Sequence, residues 1–136
     1  MNRVEKALEN HKKGYNCSQA VACAFCDKTS FCEADLFRIM EGFGLGGGDM
    51  QGTCGAVAGA AAIASLLTST GNIQAPDSKQ KTYQTTKSLA GKFREKNGST
   101  ICKELKGAET GKVLRSCDGC IEDAARLVCE LIGEKV

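Results

Sequence analysis

Cysteine is the residue type that offers the most chemistry in this 136-residue chain, which contains nine cysteines and a single histidine. Four of the cysteines lie within three residues after a side chain that typically caps the N-terminus of a helix. They are Cys17, Cys54, Cys102 and Cys120, and the caps before them are Asn16, Thr53, Ser99 or Thr100, and Asp118. Unpaired N–H groups and the positive end of the helix dipole favour the thiolate at such positions. Because thiolates bind metals and attack disulfides, these four cysteines are the candidate ligands or redox groups.

Two C-x-x-C pairs are present, and their settings differ. Cys117 and Cys120 flank a turn that leads into a predicted helix, which suits a metal-binding or redox pair. Cys23 and Cys26 lie inside a predicted helix, where sharing a metal is the alternative and burial beside Phe25 is the favoured interpretation. Neither pair is followed by histidine, which excludes covalent c-type haem attachment. The long separation of the two pairs is also unlike that of a zinc ribbon.

The remaining cysteines and the histidine have less specific patterns. Cys32 and Cys129 have no partner at a recognisable spacing, so they are predicted to be buried as small hydrophobic residues. His11 is predicted on a helix face at the surface, and a role as base or ligand beside a cysteine is the alternative. The lysine-rich stretch from Lys79 to Lys96 predicts a solvated helix face, and with few aromatic residues nearby it does not indicate nucleic-acid binding.

A glycine-rich segment, residues 42–55, contains Cys54 near its end. It lacks the Gly-Lys-Ser/Thr ending of a phosphate-binding loop, and no strand comes before it, so a nucleotide site is not indicated. The glycines predict positive φ angles and a close approach of the backbone, whose N–H groups would then donate to a thiolate or to cluster sulfur. Gly52 and Gly55 are the candidates for this contact. The alternative is that Gly55, Gly59 and their small neighbours serve only the close packing of another helix.

The elements that must position these residues are helices. Seven are predicted: from Asn2 to Gly14, Cys17 to about Asp27, Ser30 to Gly42, Thr53 to about Thr68, Asp77 to Gly98, Ser99 or Thr100 to Gly107, and Asp118 to about Ile132. No stretch alternates apolar and polar residues as a half-buried strand does, and no linker or repeat divides the chain. The predicted fold class is therefore all-α, a single compact multi-helix domain over residues 1–136 with the glycine-rich loop before a central helix of small residues.

Composition and charge exclude several classes of protein. The net charge is only +2, so no strong field attracts nucleic acid or an acidic membrane surface. The longest apolar stretch, from Ala56 to Leu67, has 12 residues, whereas a membrane-spanning helix needs about 20. The polar start from Met1 to Lys6 lacks the apolar segment of a signal peptide, which predicts a cytoplasmic location, where disulfides rarely persist.

Several segments together carry a resemblance to a known family. They are residues 14–21 (GYNCSQAV), residues 54–59 (CGAVAG), Cys102, and Cys120 ahead of residues 122–125 (EDAA). Over nearly the whole chain they resemble the C_GCAxxG_C_C family of redox-active proteins. The resemblance implies that Cys17, Cys54, Cys102 and Cys120 are the four family cysteines, with Cys117 competing for the last position. A related domain is associated with split-Soret cytochromes, which contain haem and an iron–sulfur centre, and only the analogy with the cluster applies to a chain without a haem attachment sequence.

Three hypotheses about function follow from these cysteines. The first is that four of them bind an iron–sulfur cluster or another thiophilic metal such as zinc, for electron transfer or redox sensing. The second is a thiol–disulfide redox protein without metal, with Cys117 and Cys120 as redox thiols. The third is a zinc-stapled structural interaction module. A redox partner is expected, but the sequence does not identify it. The small-residue helix could pack across a homodimer as readily as within one chain. Neither nucleic-acid binding nor membrane insertion is expected.

Overall fold

In the computed structural model, which describes residues 1–136, the chain forms seven α-helices and two one-turn 3₁₀ helices. The α-helices are α1 (Arg3–Lys12), α2 (Cys17–Cys23), α3 (Glu33–Met40), α4 (Gly55–Thr68), α5 (Lys79–Asn97), α6 (Cys102–Lys106) and α7 (Cys117–Ile132). The 3₁₀ helices are Cys26–Lys28 and Glu41–Phe43. The only β-type pairing is one isolated antiparallel bridge between Thr53 and Ile101. The all-α prediction is confirmed.

The first two helices begin where the sequence predicts. Asn2 Oδ1 accepts a hydrogen bond from the Glu5 N–H at 2.8 Å at the start of α1. At the start of α2, the Asn16 side chain accepts from the Gln19 N–H at 3.0 Å, and Gln19 Oε1 accepts from the Asn16 N–H at 2.9 Å. Such caps satisfy N–H groups that a helix leaves free. The capping box thereby fixes Cys17 as the first residue of α2.

Two helices begin a few residues later than their predicted caps. Helix α3 begins at Glu33 without a side-chain cap, so Ser30 does not cap it. Helix α5 begins at Lys79, because the Asp77 carboxylate accepts a hydrogen bond from the Thr70 hydroxyl in the preceding loop and is not available to cap the helix. Local sequence favoured both caps, and at α5 the contact with the preceding loop decided otherwise.

Three helix starts near cysteines also differ from the prediction. Neither Ser99 nor Thr100 caps α6, because Ile101 immediately precedes the helix and the Ser99 hydroxyl accepts its hydrogen bond from the Ile101 N–H. Thr53 takes part in the bridge between chain segments, so Cys54 is the residue that immediately precedes α4. Ser116, not Asp118, caps α7, because its hydroxyl oxygen accepts a hydrogen bond from the Gly119 N–H at 3.0 Å. Helix α7 therefore begins one residue before the predicted cap.

Helix α4 runs through the middle of the fold and packs against α2, α5 and α7. Its small residues permit a very close approach to α2, since a Cβ atom at Gly59 would lie 2.6 Å from the Ser18 carbonyl oxygen. Ile63 of α4 and the rings of Phe25 and Phe93 are fully buried in the core, and each contributes about 1.5–3 kcal/mol to folding. The small residues thus serve packing inside the chain, and association across a homodimer stays a prediction. None of the helices has both the length and the apolar character that crossing a membrane requires.

Candidate redox site

Five of the nine cysteines line one cavity of about 170 Å³. They are Cys17, Cys54, Cys102, Cys117 and Cys120. The structure therefore brings together the four cysteines that the sequence singles out and adds Cys117 to them. The rest of the lining comprises His11, Asn16, Leu45, Gly55, Leu105, Lys106 and Arg115.

Backbone pairing places Cys54 and Cys102 beside each other. The Cys54 N–H donates to the Thr100 carbonyl oxygen at 2.7 Å, and the Cys102 N–H donates to the Gly52 carbonyl oxygen at 3.0 Å. These two bonds enclose the isolated bridge between the two segments. They hold the start of α4 against the start of α6, so both thiols face one cavity.

Four of the five cavity cysteines occupy the beginning of a helix. Cys17, Cys102 and Cys117 are the first residues of α2, α6 and α7, and Cys54 is the residue just before α4. Cys120 lies three residues after Cys117 on α7, and residues at that spacing share one face of a helix. The predicted helix-start positions of Cys17, Cys54 and Cys102 are confirmed, whereas Cys117 and not Cys120 is the first residue of α7.

Glycine allows the backbone to approach the thiols closely. A Cβ atom at Gly46, where φ is +59°, would lie 2.5 Å from the Cβ of Cys102, and one at Gly55 would lie 3.2 Å from the Cβ of Cys17. Gly55 lines the cavity, as expected. Gly52 lies outside the lining, where its N–H donates to the Gly46 carbonyl oxygen at 2.9 Å and its own carbonyl holds the Cys102 N–H. Gly52 therefore lies outside the cavity and positions Cys102 through a backbone hydrogen bond.

The cavity has a buried part and a more open part. Cys54, Cys102 and Cys120 are buried, and we refer to them as the floor. Cys17 and Cys117 are half-buried, and we refer to them as the rim. Small molecules from solvent therefore meet the two rim thiols first.

Among the cavity thiols, Cys54 has a lowered pKa. A weak hydrogen bond from the Cys120 thiol is the largest cause, and despite the opposing effect of burial the pKa falls to about 7. The N–H groups of Ala56 and Val57 at the start of α4 act in the same direction. The sulfur accepts no capping hydrogen bond of regular geometry, so these groups act as the positive end of a helix. Cys54 is consequently able to form a thiolate near neutral pH.

Three other cavity thiols have raised pKa values. Burial, followed by the neighbouring thiols, raises the pKa of Cys17 to about 12, and burial also raises that of Cys102. The hydrogen bond to Cys54 and then burial raise the pKa of Cys120. The expectation that a helix start favours each thiolate is therefore wrong for these three. Burial and neighbouring thiols outweigh the helix N–H groups at Cys17 and Cys102, and the interaction with Cys54 followed by burial does so at Cys120. A cation bound among them would favour their ionised forms.

Lys106 supplies positive charge directly beside the thiols. It lies one helical turn after Cys102 on α6 and lines the same cavity as Cys117. Burial alone would lower its pKa, but Cys117 and the other nearby thiols outweigh burial and raise it. No ion pair of the structure includes Lys106, so its ammonium group has no carboxylate partner. Its i, i+4 spacing from Cys102 was the sequence signal that could have identified it.

Arg115 is a second cation in the cavity lining, and buried Asp123 fixes its position. The Arg115 Nε and Nη2 atoms lie 3.0 and 3.2 Å from the Asp123 carboxylate oxygens. Asp123 also accepts hydrogen bonds from Lys96 at 2.6 Å and from Asn97 at 3.1 Å. Burial would raise the pKa of Asp123, but these three donors together lower it. Unlike Lys106, Arg115 therefore has its charge compensated by a carboxylate.

His11 lines the cavity from α1 but contacts no cysteine by hydrogen bond. Its Nδ1 atom lies 2.8 Å from Asp118 Oδ1, and about a third of its side chain is exposed. The prediction of a surface or boundary position is confirmed, and the structure places His11 at the boundary.

The other four cysteines lie outside the cavity. Cys23 and Cys129 are buried, as predicted, and Cys26 is half-buried. Cys32 is exposed, so its predicted burial is wrong; it stands in the surface loop just before α3, where no helix covers it. Burial, with contributions from Glu33 and Cys26, raises the pKa of Cys23 to about 12.

The cavity sulfurs are arranged in pairs and not around a single point. Cys120 is close enough to Cys54 to change the pKa of Cys54, and Cys117 is close enough to Cys17 to change the pKa of Cys17. No three His, Cys, Asp or Glu side chains of the structure are placed to hold one metal ion. A tetrahedral zinc site requires four ligands at about 2.0–2.3 Å from one ion. The arrangement differs from such a mononuclear site.

A comparison with protein families gives a match over most of the chain. A family model described as "Putative redox-active protein (C_GCAxxG_C_C)" matches residues 15–131, which include all five cavity cysteines. No curated protein and no solved structure matches the chain.

Proposed function

Because this chain belongs to the C_GCAxxG_C_C family, which is described as redox-active, we propose that its five-thiol cavity binds an iron–sulfur cluster for electron transfer or redox sensing. The observation that carries the proposal is the convergence of five cysteines on one cavity of about 170 Å³. Four cysteine thiolates are the usual ligands of [2Fe–2S] and [4Fe–4S] clusters. When bound, such a cluster supplies one-electron transfer.

The donor set fits a cluster better than a single zinc ion. Within a cluster the four thiolates are divided among several iron atoms, so their sulfurs do not have to surround one point. Paired thiols around a cavity meet that requirement, whereas no three of them are placed to hold one ion. Zinc is the alternative metal, and binding it would require the sulfurs to close around one ion.

The cysteines proposed as ligands are Cys17, Cys54, Cys102 and Cys120, three of which form the floor. Cys54 reaches the thiolate form most readily, and its ionisation provides the first anionic ligand. Lys106 offsets the negative charge that accumulates as further thiols lose their protons. The side chains of Leu45 and Leu105 complete the lining and reduce its contact with water.

A second candidate function is thiol–disulfide exchange without metal, and the pairing of Cys54 with Cys120 favours it. A thiolate former next to a protonated thiol is the arrangement in which one cysteine attacks a disulfide and the other resolves the mixed disulfide. The opposite pKa shifts of Cys54 and Cys120 support this pair, whereas the sequence suggests Cys117 as the redox partner of Cys120. The spacing of the C-x-x-C motif is therefore not what would define the active pair.

A cytoplasmic location and a separate redox partner belong to the same proposal. All nine cysteines are free thiols in the structure, and a reducing compartment keeps thiols in that form. An electron donor or acceptor must meet the protein at the rim, where the cavity is nearest to solvent.

Metal analysis of protein purified without oxygen tests the proposal. We expect brown protein with broad visible absorption and stoichiometric iron and acid-labile sulfide. Colourless protein with one zinc per chain would instead support the zinc-stapled module. Protein without metal that loses two titratable thiols on oxidation would support the exchange reaction, and peptide mapping would then identify which cysteines had formed the disulfide.

A further inference from the structure

An apolar groove of about 670 Å³ is formed by α3, α4 and α5, and it shares no residue with the thiol cavity. We refer to it as the α3–α5 groove. Helix α4 packs against both α5 and the 3₁₀ turn after α3, so it forms the floor, with Val57, Ala58, Ala61, Ala62 and Ser65. One wall comprises Ile39, Met40 and Phe43, and the other comprises Tyr83, Thr86, Lys87 and Ala90.

The walls and the floor of the groove differ in side-chain size. Ile39, Phe43 and Tyr83 on the walls are large, and about half of each is exposed. The floor presents mainly alanine methyl groups between them. Exposed apolar residues gathered in one concave patch mark an interaction site. A large side chain from another molecule therefore finds room between the walls and apolar contacts on three sides.

Charges of opposite sign flank the groove. Lys87 belongs to the α5 wall, and Lys79 and Arg94 lie on the same face of α5, about two turns before and after it. On the other side, Asp35 lies one turn before Ile39 on α3. Lys79, Lys87, Arg94 and Asp35 are all exposed and take part in no ion pair. Each wall therefore has free charge to offer a partner.

The same asymmetry extends over the two segments. Helix α5 has six cationic residues and one acidic residue, Glu95, whereas residues 33–43 have three acidic residues and one cation, Arg38. A uniformly acidic partner is repelled by the α3 wall, and a uniformly basic one is repelled by the α5 wall. A second copy of this chain carries both charges, and it also carries the large apolar side chains that fit the small-residue floor.

We propose that the α3–α5 groove is the interface of a homodimer, in which the α3 wall of each copy enters the groove of the other. A two-fold axis parallel to the groove then places Lys87 of one protomer opposite Asp35 of the partner subunit, and the reverse pair follows by symmetry. Phe43 of each copy lies over the alanines of the other. The opposite face of α4, with Gly59, packs against α2 inside the chain, so the two faces of this helix serve different contacts.

Sedimentation equilibrium of the protein purified without oxygen tests the interface. A reductant is kept present so that exposed Cys32 forms no disulfide between copies. We expect reversible association that reaches twice the mass of the chain. The same association is expected for Cys54→Ala, so it does not depend on a bound cluster. The mass of one chain at every concentration up to about 1 mM would overturn the proposal and leave the groove to a different protein.

Two exposed apolar residues provide a matched comparison. Phe43→Ala removes a wall side chain and is expected to weaken association about tenfold or more. Ile73→Ala is the control, because Ile73 is 91% exposed and lies outside the groove; it is expected to leave the dissociation constant unchanged. Circular dichroism verifies that both variants fold. Equal dissociation constants for the two variants would overturn the proposal.

A charge exchange gives the sharpest measurement. Lys87→Glu and Asp35→Lys are each expected to weaken association about tenfold, since every substitution occurs twice in a symmetric dimer. The variant with both changes is expected to regain most of the affinity. Lys92→Glu is the control on the same helix, because Lys92 is exposed and lies outside the groove, and it should change nothing.

The outcomes keep this inference apart from the proposed function. A doubly substituted variant that associates no better than Lys87→Glu or Asp35→Lys alone would overturn the two-fold arrangement. Iron and sulfide contents are expected to stay the same in all the groove variants, because none of them alters the cavity lining. Protein without iron and sulfide that still forms the dimer would overturn the proposed function and leave the interface standing.

Discussion

The two C-x-x-C motifs have the same spacing and lie at opposite kinds of helix end. Cys117 and Cys120 lie in the first turns of α7, where free N–H groups and Lys106 are near. Cys23 is the last residue of α2, and Cys26 begins the 3₁₀ turn that follows. There the neighbouring charged side chains are chiefly acidic. Burial, Glu33 and Asp27 raise the pKa of Cys26, and Arg3 lowers it only in part.

The comparison shows that setting, and not spacing, distinguishes a cavity thiol from a core thiol. Helix α2 illustrates this within a single element, because Cys17 at its start faces the cavity and Cys23 at its end is buried in the core. Near Cys26, Arg3 forms ion pairs with Asp27 and Glu134, whereas Lys106 at the cavity has no carboxylate partner. The two regions therefore differ in one cation, Lys106, whose charge no carboxylate balances.

Removing one thiol from each region has the largest expected effect. Cys54→Ala should abolish retention of the cluster, because it removes the readiest thiolate of the floor, whereas Cys23→Ala should retain stoichiometric iron. Cys129→Ala is a second control outside the cavity, and circular dichroism would verify that all three variants fold. Equal iron and sulfide contents in Cys54→Ala and Cys23→Ala would show that the cavity is not the binding site.

The ionisation of the two regions should differ by several pH units in the metal-free, reduced protein. The pKa of Cys54 is lowered to about 7 and that of Cys23 is raised to about 12. Ultraviolet thiolate absorbance should therefore show a transition near pH 7 that is lost in Cys54→Ala and kept in Cys23→Ala. Because the folded pKa of Cys54 is below its ordinary value, its contribution to stability is present above about pH 9 and is lost as the pH falls through about 7. A transition near pH 7 that persists in Cys54→Ala would contradict the assignment.

Helix α4 approaches α2 closely near the start of α2, the end that carries Cys17. Adding one methyl group at Gly59 tests how much stability this close packing requires. Gly59→Ala places a Cβ 2.6 Å from the Ser18 carbonyl oxygen and should cost about 1–3 kcal/mol in the free energy of unfolding. Gly91→Ala in α5 meets nothing within 4 Å and should stabilise the protein by about 1 kcal/mol. Urea unfolding measures both changes. Similar shifts for the two variants would mean that α4 and α2 are able to separate without cost.

Substitutions at the helix caps beside the two cysteine regions have the smallest expected effects on stability. Ser116 caps the helix of the cavity motif with a hydrogen bond to the Gly119 N–H, so Ser116→Ala should cost about 1 kcal/mol in the free energy of unfolding. Cys32 precedes α3 without making a cap, and Cys32→Ser should add one, with a gain of about 0.5–1 kcal/mol. Thermal or urea unfolding would detect both, and destabilisation by Cys32→Ser would count against this account of α3.

Much of the local structure could be predicted because it depends on neighbours in sequence. The Asn16–Gln19 capping box and the end of α5 at Gly98, where φ is +88°, follow from local hydrogen bonding and from the conformational freedom of glycine. Thr53 was mistaken for a cap because its partner, Ile101, is remote in sequence. Burial of Cys32 was predicted from residue type alone, and the surface loop before α3 exposes it.

By itself the sequence determined that the fold is helical and that cysteines stand at helix starts, because the periodicity of apolar residues and the capping side chains act over three or four residues. It also singled out Cys17, Cys54, Cys102 and Cys120. Only the tertiary structure decided that these four share one cavity with Cys117, that Lys106 is the cation beside them, and that burial reverses the helix effect on most of the thiols. Burial and charge depend on segments far apart in the chain, such as those joined by the Thr53–Ile101 bridge, so folding alone fixes them.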